Sequence, residues 1–338
     1  AVYKQLVQWT AQQDAPVSKW LLAVAYILPG ILIASLAAYG ILRDELYWTI
    51  ASRLFPINLF IFFLVVKKVK KAMFSADKVN DMLKEYSAMF RQAEVASYTS
   101  EKLQNLQQRL NVTGAKASTE IQKLAAIFAA METVQNPFSA VIMNGLYLHH
   151  IHQLHKLNNW KQQYAAHVPG WLEVLGELEM LGSLANLHDN NPEFCFPSLN
   201  ADHVIAFSGL GHPLIAAEKR VCNDVTFDEH RFIILTGSNM SGKSTFLRTL
   251  GINLVLARSG SVVCAQSFRF FPFELYVSMR ITDSLQESQS FFYAELKRLQ
   301  TIIQYIQSGH PTFILLDEIL RGTNSNDKRN GTIGLITT

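Results

Sequence analysis

Eight residues, Gly237-Ser-Asn-Met-Ser-Gly-Lys-Ser244, constrain this chain more than any other stretch. They fit G-x-x-x-x-G-K-[ST] without a gap, and that pattern has meaning only between a strand and a helix. Arg231–Thr236, "RFIILT", is an apolar run expected to form a buried strand, and "STFLRTLGINLVLARSG" predicts a helix closing at Gly260. The glycines let backbone N–H groups turn inward around phosphate oxygens, and the helix N-terminus adds partial positive charge. Gly237, Ser238, Asn239, Met240, Ser241, Gly242, Lys243, Ser244 and Thr245 are therefore the expected nucleotide cradle. Lys243 is expected to reach the β- and γ-phosphates, and the Ser244 hydroxyl to ligate Mg²⁺.

A second motif completes the pattern. Thr312–Glu318, "TFILLDE", predicts a buried strand ending in two carboxylates about seventy residues after the loop. Asp317 suits the magnesium shell, and Glu318 suits the orientation of an attacking water. Together the two motifs predict an α/β nucleoside triphosphatase.

The N-terminus follows different rules. Trp20–Leu42 contains no charged residue, and as a helix it would extend about 34 Å, enough to cross a hydrocarbon core. Leu46–Val66 is a second candidate span, interrupted by Arg53 and Pro56. Only Arg43-Asp44-Glu45 separates them, and "KKVKK", Lys67–Lys71, follows. The positive-inside rule places that cluster and the rest of the chain on the cytoplasmic side of the cell membrane. The competing reading is a pair of buried core helices. Hydrophobic residues make up 49% of the 338 and charged ones 17%, an apolar balance concentrated in this region.

Between these ends the pattern is helical. Phe74, Met82, Tyr86, Phe90, Leu103, Leu106 and Leu110 recur at helical spacing, "NVTG" interrupts at 111–114, and Ile121, Leu124, Phe128 and Met131 share a further face. Asn136-Pro137 reads as a cap and first-turn proline opening one long helix towards Tyr164. Pro169 precedes another, with Trp171, Leu175, Leu178, Leu181 and Leu184 inward. His149, His152 and His155 fall three apart without a carboxylate or cysteine beside them, so packed or solvated histidines are the expectation. Cys195, Cys222 and Cys264 follow no ligand spacing and are expected as free thiols. A net charge of +3 does not by itself imply nucleic acid. Ala1 in place of a methionine, and a helical pattern still running at Thr338, suggest a piece of a longer protein.

The region around the loop resembles the ATPase domain of the MutS family of DNA mismatch-repair proteins. The resemblance rests on "TGSNMSGKSTFLRTLGINLVLARSGSVVCA", on "DEILRGTNSND" from Asp317, on "SMRITDSLQESQSFFYAEL" and on "GLGHPLI". It is close over 170–338 and extends to 72–169 only by helical character. It implies ATP and Mg²⁺ as cofactors, and a homodimer whose sites are composite, with Ser290 of one subunit facing the γ-phosphate held by the other. Asn223, followed by Asp224, falls among the implied nucleotide contacts. Ser241 stands where many relatives have a second glycine, and Arg220 near an aromatic that stacks on adenine, where a guanidinium could stack instead. The family's mismatch wedge is a Phe-x-Glu motif, matched here only by Phe227-Asp-Glu229 before the ATPase strand.

These readings divide the chain into a two-span segment (1–71, spans 20–42 and 46–66), a helical core or lever region (72–200) and a C-terminally incomplete ATPase head (201–338). The fold class expected is an α/β P-loop head of ABC-like MutS type behind an all-α region and a transmembrane hairpin. The function expected is a dimeric, membrane-attached ATPase coupled to DNA without mismatch specificity. Its rivals are a transporter ATPase, which lacks support because "LSGGQ" is missing, and a nucleotide-gated membrane tether with little turnover.

Overall fold

The computed structural model describes residues 2–12, 16–72, 76–112, 114–132, 136–228, 233–238, 240–279, 291–320 and 324–337. Its contacts divide it into two units, Ala1–Met180 and Leu181–Thr338.

The first unit is helical. It comprises α1 (Val2–Ala11), α2 (Lys19–Leu42), α3 (Glu45–Ala72), α4 (Ala76–Val95), α5 (Glu101–Arg109), α6 (Ala117–Met131), α7 (Pro137–Tyr147), α8 (His149–Tyr164) and α9 (Val168–Asn190), which crosses the boundary between units. The strands β1 (Asn111–Val112) and β2 (Ala115–Lys116) make a small hairpin at the predicted "NVTG" interruption. Ser18 caps α2 by accepting from the Leu21 N–H. α6 starts under a remote cap, because the Glu94 carboxylate of α4 accepts the Ser118 N–H at 2.9 Å. Leu83, Phe90, Leu110, Ile121, Leu124 and Met131 are fully buried.

The two apolar helices span Lys19–Leu42 and Glu45–Val69, and each has only 22% of its most apolar window buried. Trp20, Ile41, Leu42, Phe60, Phe63 and Leu64 are exposed. This is the reverse of a core helix, which hides its apolar side chains. Pro29 breaks the hydrogen-bond ladder of α2 by leaving the Ala25 carbonyl without its partner four residues on. The His152 Nε2–H of α8 supplies the missing donor at 3.1 Å.

The predicted long helix from Asn136 to Tyr164 is two helices. Asn136 caps α7 and Pro137 opens it, as the sequence implies. Leu148 then turns left-handed, with φ 46°, and donates its N–H to the Asn144 carbonyl at 3.0 Å. The Asn144 side chain accepts the His150 N–H at 3.1 Å, so one buried asparagine closes the last turn of α7 with its main chain and holds the start of α8 with its side chain. Asparagine commonly offers the backbone such an alternative to a continuing helix.

The second unit mixes strands and helices. β3 (Ser198–Leu199), β4 (Ile205–Leu210), β5 (Asn223–Phe227) and β6 (Ser267–Phe270) form a sheet in the order β3-β6-β4-β5, while β7 (Glu274–Ser278) and β8 (Thr312–Leu316) pair in parallel. α10 (Lys243–Arg258), α11 (Phe291–Gln307) and α12 (Ser325–Thr337) complete it. Ile205, Phe207, Leu210, Leu250, Leu254, Val263, Phe268 and Leu315 share one core. The predicted strand before the loop does not form over its described part. Ile233, Ile234 and Leu235 are 47%, 70% and 43% exposed and lie outside every described strand. An apolar run specifies burial but not a pairing edge, and β8 has only β7 beside it among the described residues.

Candidate functional site

The loop enters α10 as its composition requires. Gly242 takes φ 91° at the cap position, Met240 takes φ 66°, and the Phe246 N–H makes the first helical bond to the Gly242 carbonyl at 2.8 Å. A Cβ on Gly237 would approach the Ser241 Oγ to 2.8 Å, so a larger residue there would have to turn that hydroxyl aside. Lys243 folds back over this turn. Its Nζ donates to the Gly237 carbonyl at 2.7 Å, the Ser238 carbonyl at 2.6 Å and the Ser241 Oγ at 3.4 Å. Among the described residues no side chain caps the first turn of α10. Ser244 is half-buried and Thr245 exposed there, while Asn239 lies outside the described residues. A glycine turn at a helix N-terminus with a lysine folded over it is chemically suited to an anionic ligand.

Asp317 and Glu318 follow β8 directly. The Asp317 N–H donates to the Ser278 carbonyl at 2.9 Å, continuing the parallel pairing with β7. α10 is packed on this strand, with Gly251 against Leu315 so closely that a Cβ would stand 3.2 Å from its methyl. The helix that carries Lys243 and Ser244 and the strand that carries Asp317 therefore belong to one core. The Ser244 hydroxyl and the Asp317 carboxylate both offer oxygen, the ligand that a hard cation such as Mg²⁺ prefers.

One residue of this region was not singled out from sequence. Glu295, on α11, is 4% exposed, and its Oε1 accepts the Leu320 N–H at 2.8 Å. Its Oε2 is buried without a partner among the described residues. The turn it holds is uncommon, since Glu318 and Leu320 both have positive φ, 48° and 56°. The only signal was an acid inside "FFYAEL", where an apolar face is interrupted.

The remaining predicted residues scatter. Asn223 opens β5 and is exposed. Asp224 instead secures a bulge in β4, accepting the Gly209 N–H at 2.7 Å. Arg220 is committed elsewhere. Its guanidinium lies 5.4 Å from the Phe194 ring and its Nε donates to the Ile215 carbonyl, so it is not presented for stacking on a base. Ser290 lies outside the described residues, as do Arg321, Gly322 and Thr323 of the "DEILRGT" motif. His149, His152 and His155 turn to three separate partners: the Ala130 carbonyl, the Ala25 carbonyl and Asn159. Burial raises the thiol pKa of Cys264 and of Cys195, and Cys222 is the exposed thiol.

The C-terminal unit is a mixed helix-and-strand domain with a glycine turn, suited to an anionic ligand, at the head of α10. Residues 233–333 match the family model MutS domain V. The DNA mismatch repair protein MutS of Thermotoga petrophila is 35% identical over 159 residues, 46% of this chain and 20% of that protein. The protein of the same name from Leuconostoc mesenteroides is 32% identical over 159 residues, 45% and 18% of the two chains. The DNA mismatch repair protein msh3 of Botryotinia fuckeliana is 33% identical over 161 residues, 45% and 14%. The C-terminal half of the chain is thus similar to MutS domain V and to the corresponding part of these relatives. It spans about a fifth or less of the length of these relatives.

Proposed function

We propose that this protein is a membrane-attached MutS-type ATPase whose P-loop is 237–245. The observation that carries the reading is the Lys243 ammonium seated among three loop oxygens at the start of α10. ATP phosphates offer that ammonium charged acceptors in place of neutral carbonyls, and a short N⁺–H···O⁻ bond adds the attraction of opposite charges. Gly237, Ser238 and Asn239 to Thr245 surround the phosphates, and Ser244 with Asp317 hold Mg²⁺, which supplies charge neutralisation at the phosphoryl oxygens. Glu318 orients the attacking water.

The membrane attachment is supported by two helices that expose their apolar side chains, with the lysine cluster at 67–71 marking the cytoplasmic end. The family supports a homodimer with Ser290 acting across it, and DNA as the partner coupled to the heads through the helical region. Phe227 supports the expectation of no mismatch preference, because its ring is used internally, 5.1 Å from Phe313 and 6.1 Å from Phe207.

The test is ATP binding and turnover by the full chain. Lys243→Ala is expected to weaken ATP binding by at least about tenfold, the loss of one charged hydrogen bond. Glu318→Ala is expected to keep binding and lose turnover. Normal turnover in both variants would refute the site. Mixing Ser290→Arg subunits with Lys243→Ala subunits is expected to restore activity at one composite site per dimer, and no recovery after confirmed mixing would refute the sharing.

A further inference from the structure

With α2 and α3 placed across the membrane, their contacts with α7 and α8 fix the depth of those two helices. Asn58 lies about 20 Å from the start of α3 and about 17 Å from Val69, close to mid-span. Its Nδ2 donates to the Gly145 carbonyl of α7 at 2.9 Å, and a Cβ on Gly145 would overlap the Phe55 ring. The C-terminal end of α7 is therefore level with the middle of the hairpin. α8 leaves that level towards the lysine-bearing end. Its His150 ring lies 5.4 Å from Phe62, and His152 meets Ala25, about 9 Å from the start of α2. α6 runs antiparallel to α8, since Trp160 donates to the Glu120 carbonyl while His149 meets that of Ala130. α7 is thus the tip of a helical excursion that enters beside the spans and returns.

The chemistry of the tip agrees with that depth. No charged residue occurs from Asn136 to Leu148. Ala140, Asn144 and Gly145 are buried, while Phe138, Val141, Ile142, Met143 and Tyr147 are 75%, 39%, 39%, 39% and 49% exposed. A broken helix survives in hydrocarbon only when its backbone groups are satisfied by protein. Here Leu148 N–H goes to Asn144, His150 N–H to the Asn144 side chain, and Gly145 carbonyl to Asn58.

We propose that α7 is a re-entrant membrane helix whose Phe138, Val141 and Ile142 face lipid acyl chains, a placement that rests on the membrane reading of α2 and α3. The protein then meets the bilayer through three elements, with α7 wedged against the hairpin.

The test uses the full chain in phosphatidylcholine vesicles whose acyl chains carry bromine, which quenches tryptophan on contact. Ile142→Trp, Ile33→Trp in α2 and the exposed Val221→Trp of the second unit each add emission over the wild type. Quenching of the added emission for Ile142→Trp and Ile33→Trp, but not for Val221→Trp, is expected. Quenching at position 33 without quenching at 142 would overturn the α7 assignment and leave the hairpin reading intact. Quenching at neither would overturn both, and equal quenching at 221 would show that the signal does not report depth and refute the assignment. Phe138→Trp, a conservative change at the more exposed site, carries the same expectation should Ile142→Trp fail to fold.

Discussion

Glu295 has two carboxylate oxygens and only one partner for them among the described residues, yet it is almost wholly buried. Such a group is costly to keep, and its single bond pins the turn that follows Asp317. A left-handed non-glycine residue costs roughly 1–2 kcal/mol, so Glu318 and Leu320 need an external hold. Glu295→Ala is expected to lower ATP turnover by misplacing Glu318 while ATP affinity stays within about twofold, a difference under about 0.5 kcal/mol. Glu295→Gln keeps an acceptor and is expected to recover part of the turnover. Equal losses in both variants, or a parallel loss of binding, would contradict this. At the same scale, Cys222 is expected to alkylate before Cys264 in the folded chain, because burial both shields Cys264 and raises its thiol pKa. Peptide mapping after brief iodoacetamide treatment gives the order. The turn into α10 was legible because a left-handed cap calls for glycine, which Gly242 supplies at φ 91°. Glu295 was not, since its partner is a backbone amide 25 residues away that no local pattern announces.

Elements are held here by single amides that reach across them. Asn253 on α10 is fully buried, donates to the Gly211 and Thr249 carbonyls at 3.0 and 2.8 Å, and accepts the Cys264 N–H at 2.7 Å. It ties Gly211, the first residue after β4, to the helix that carries Lys243. Asn253→Ala would strand a buried donor and acceptor and is expected to destabilise the C-terminal unit by about 2–4 kcal/mol, read as a lower urea midpoint. A change under about 0.5 kcal/mol, the range of ordinary surface substitutions, would show that the clamp is dispensable. Helices from Lys19 to Asn190 and after the loop were legible, because uncharged runs and 3.6-residue spacing are local properties, whereas α1 and α11 were not read from sequence. The break at Leu148 was not, because it depends on Asn144 turning back onto the next helix. Nor was the fate of Ile233–Leu235, because strand pairing needs an edge supplied from elsewhere in the chain.

For the whole molecule, the apolar exposure of α2 and α3 predicts that alkaline carbonate leaves the intact protein in the membrane pellet. Its release into the supernatant would return these helices to the role of core elements. The sequence announced this region through length and the absence of charge, but not how α7 and α8 seat against it, which depends on contacts as distant as His152 with Ala25. That contact also sets a schedule. Under the proposed membrane reading, Pro29 enters the bilayer during synthesis with the Ala25 carbonyl bare, and its donor is encoded 127 residues later. At roughly 5–20 residues per second the ribosome needs about 6–25 s to deliver it. In that reading the nascent hairpin carries an unpaired carbonyl until then, and an unsatisfied backbone group in hydrocarbon costs several kcal/mol. Chains stalled before His152 are therefore expected to be cleared faster than chains stalled well beyond it, and pulse-chase decay of the two compares them directly.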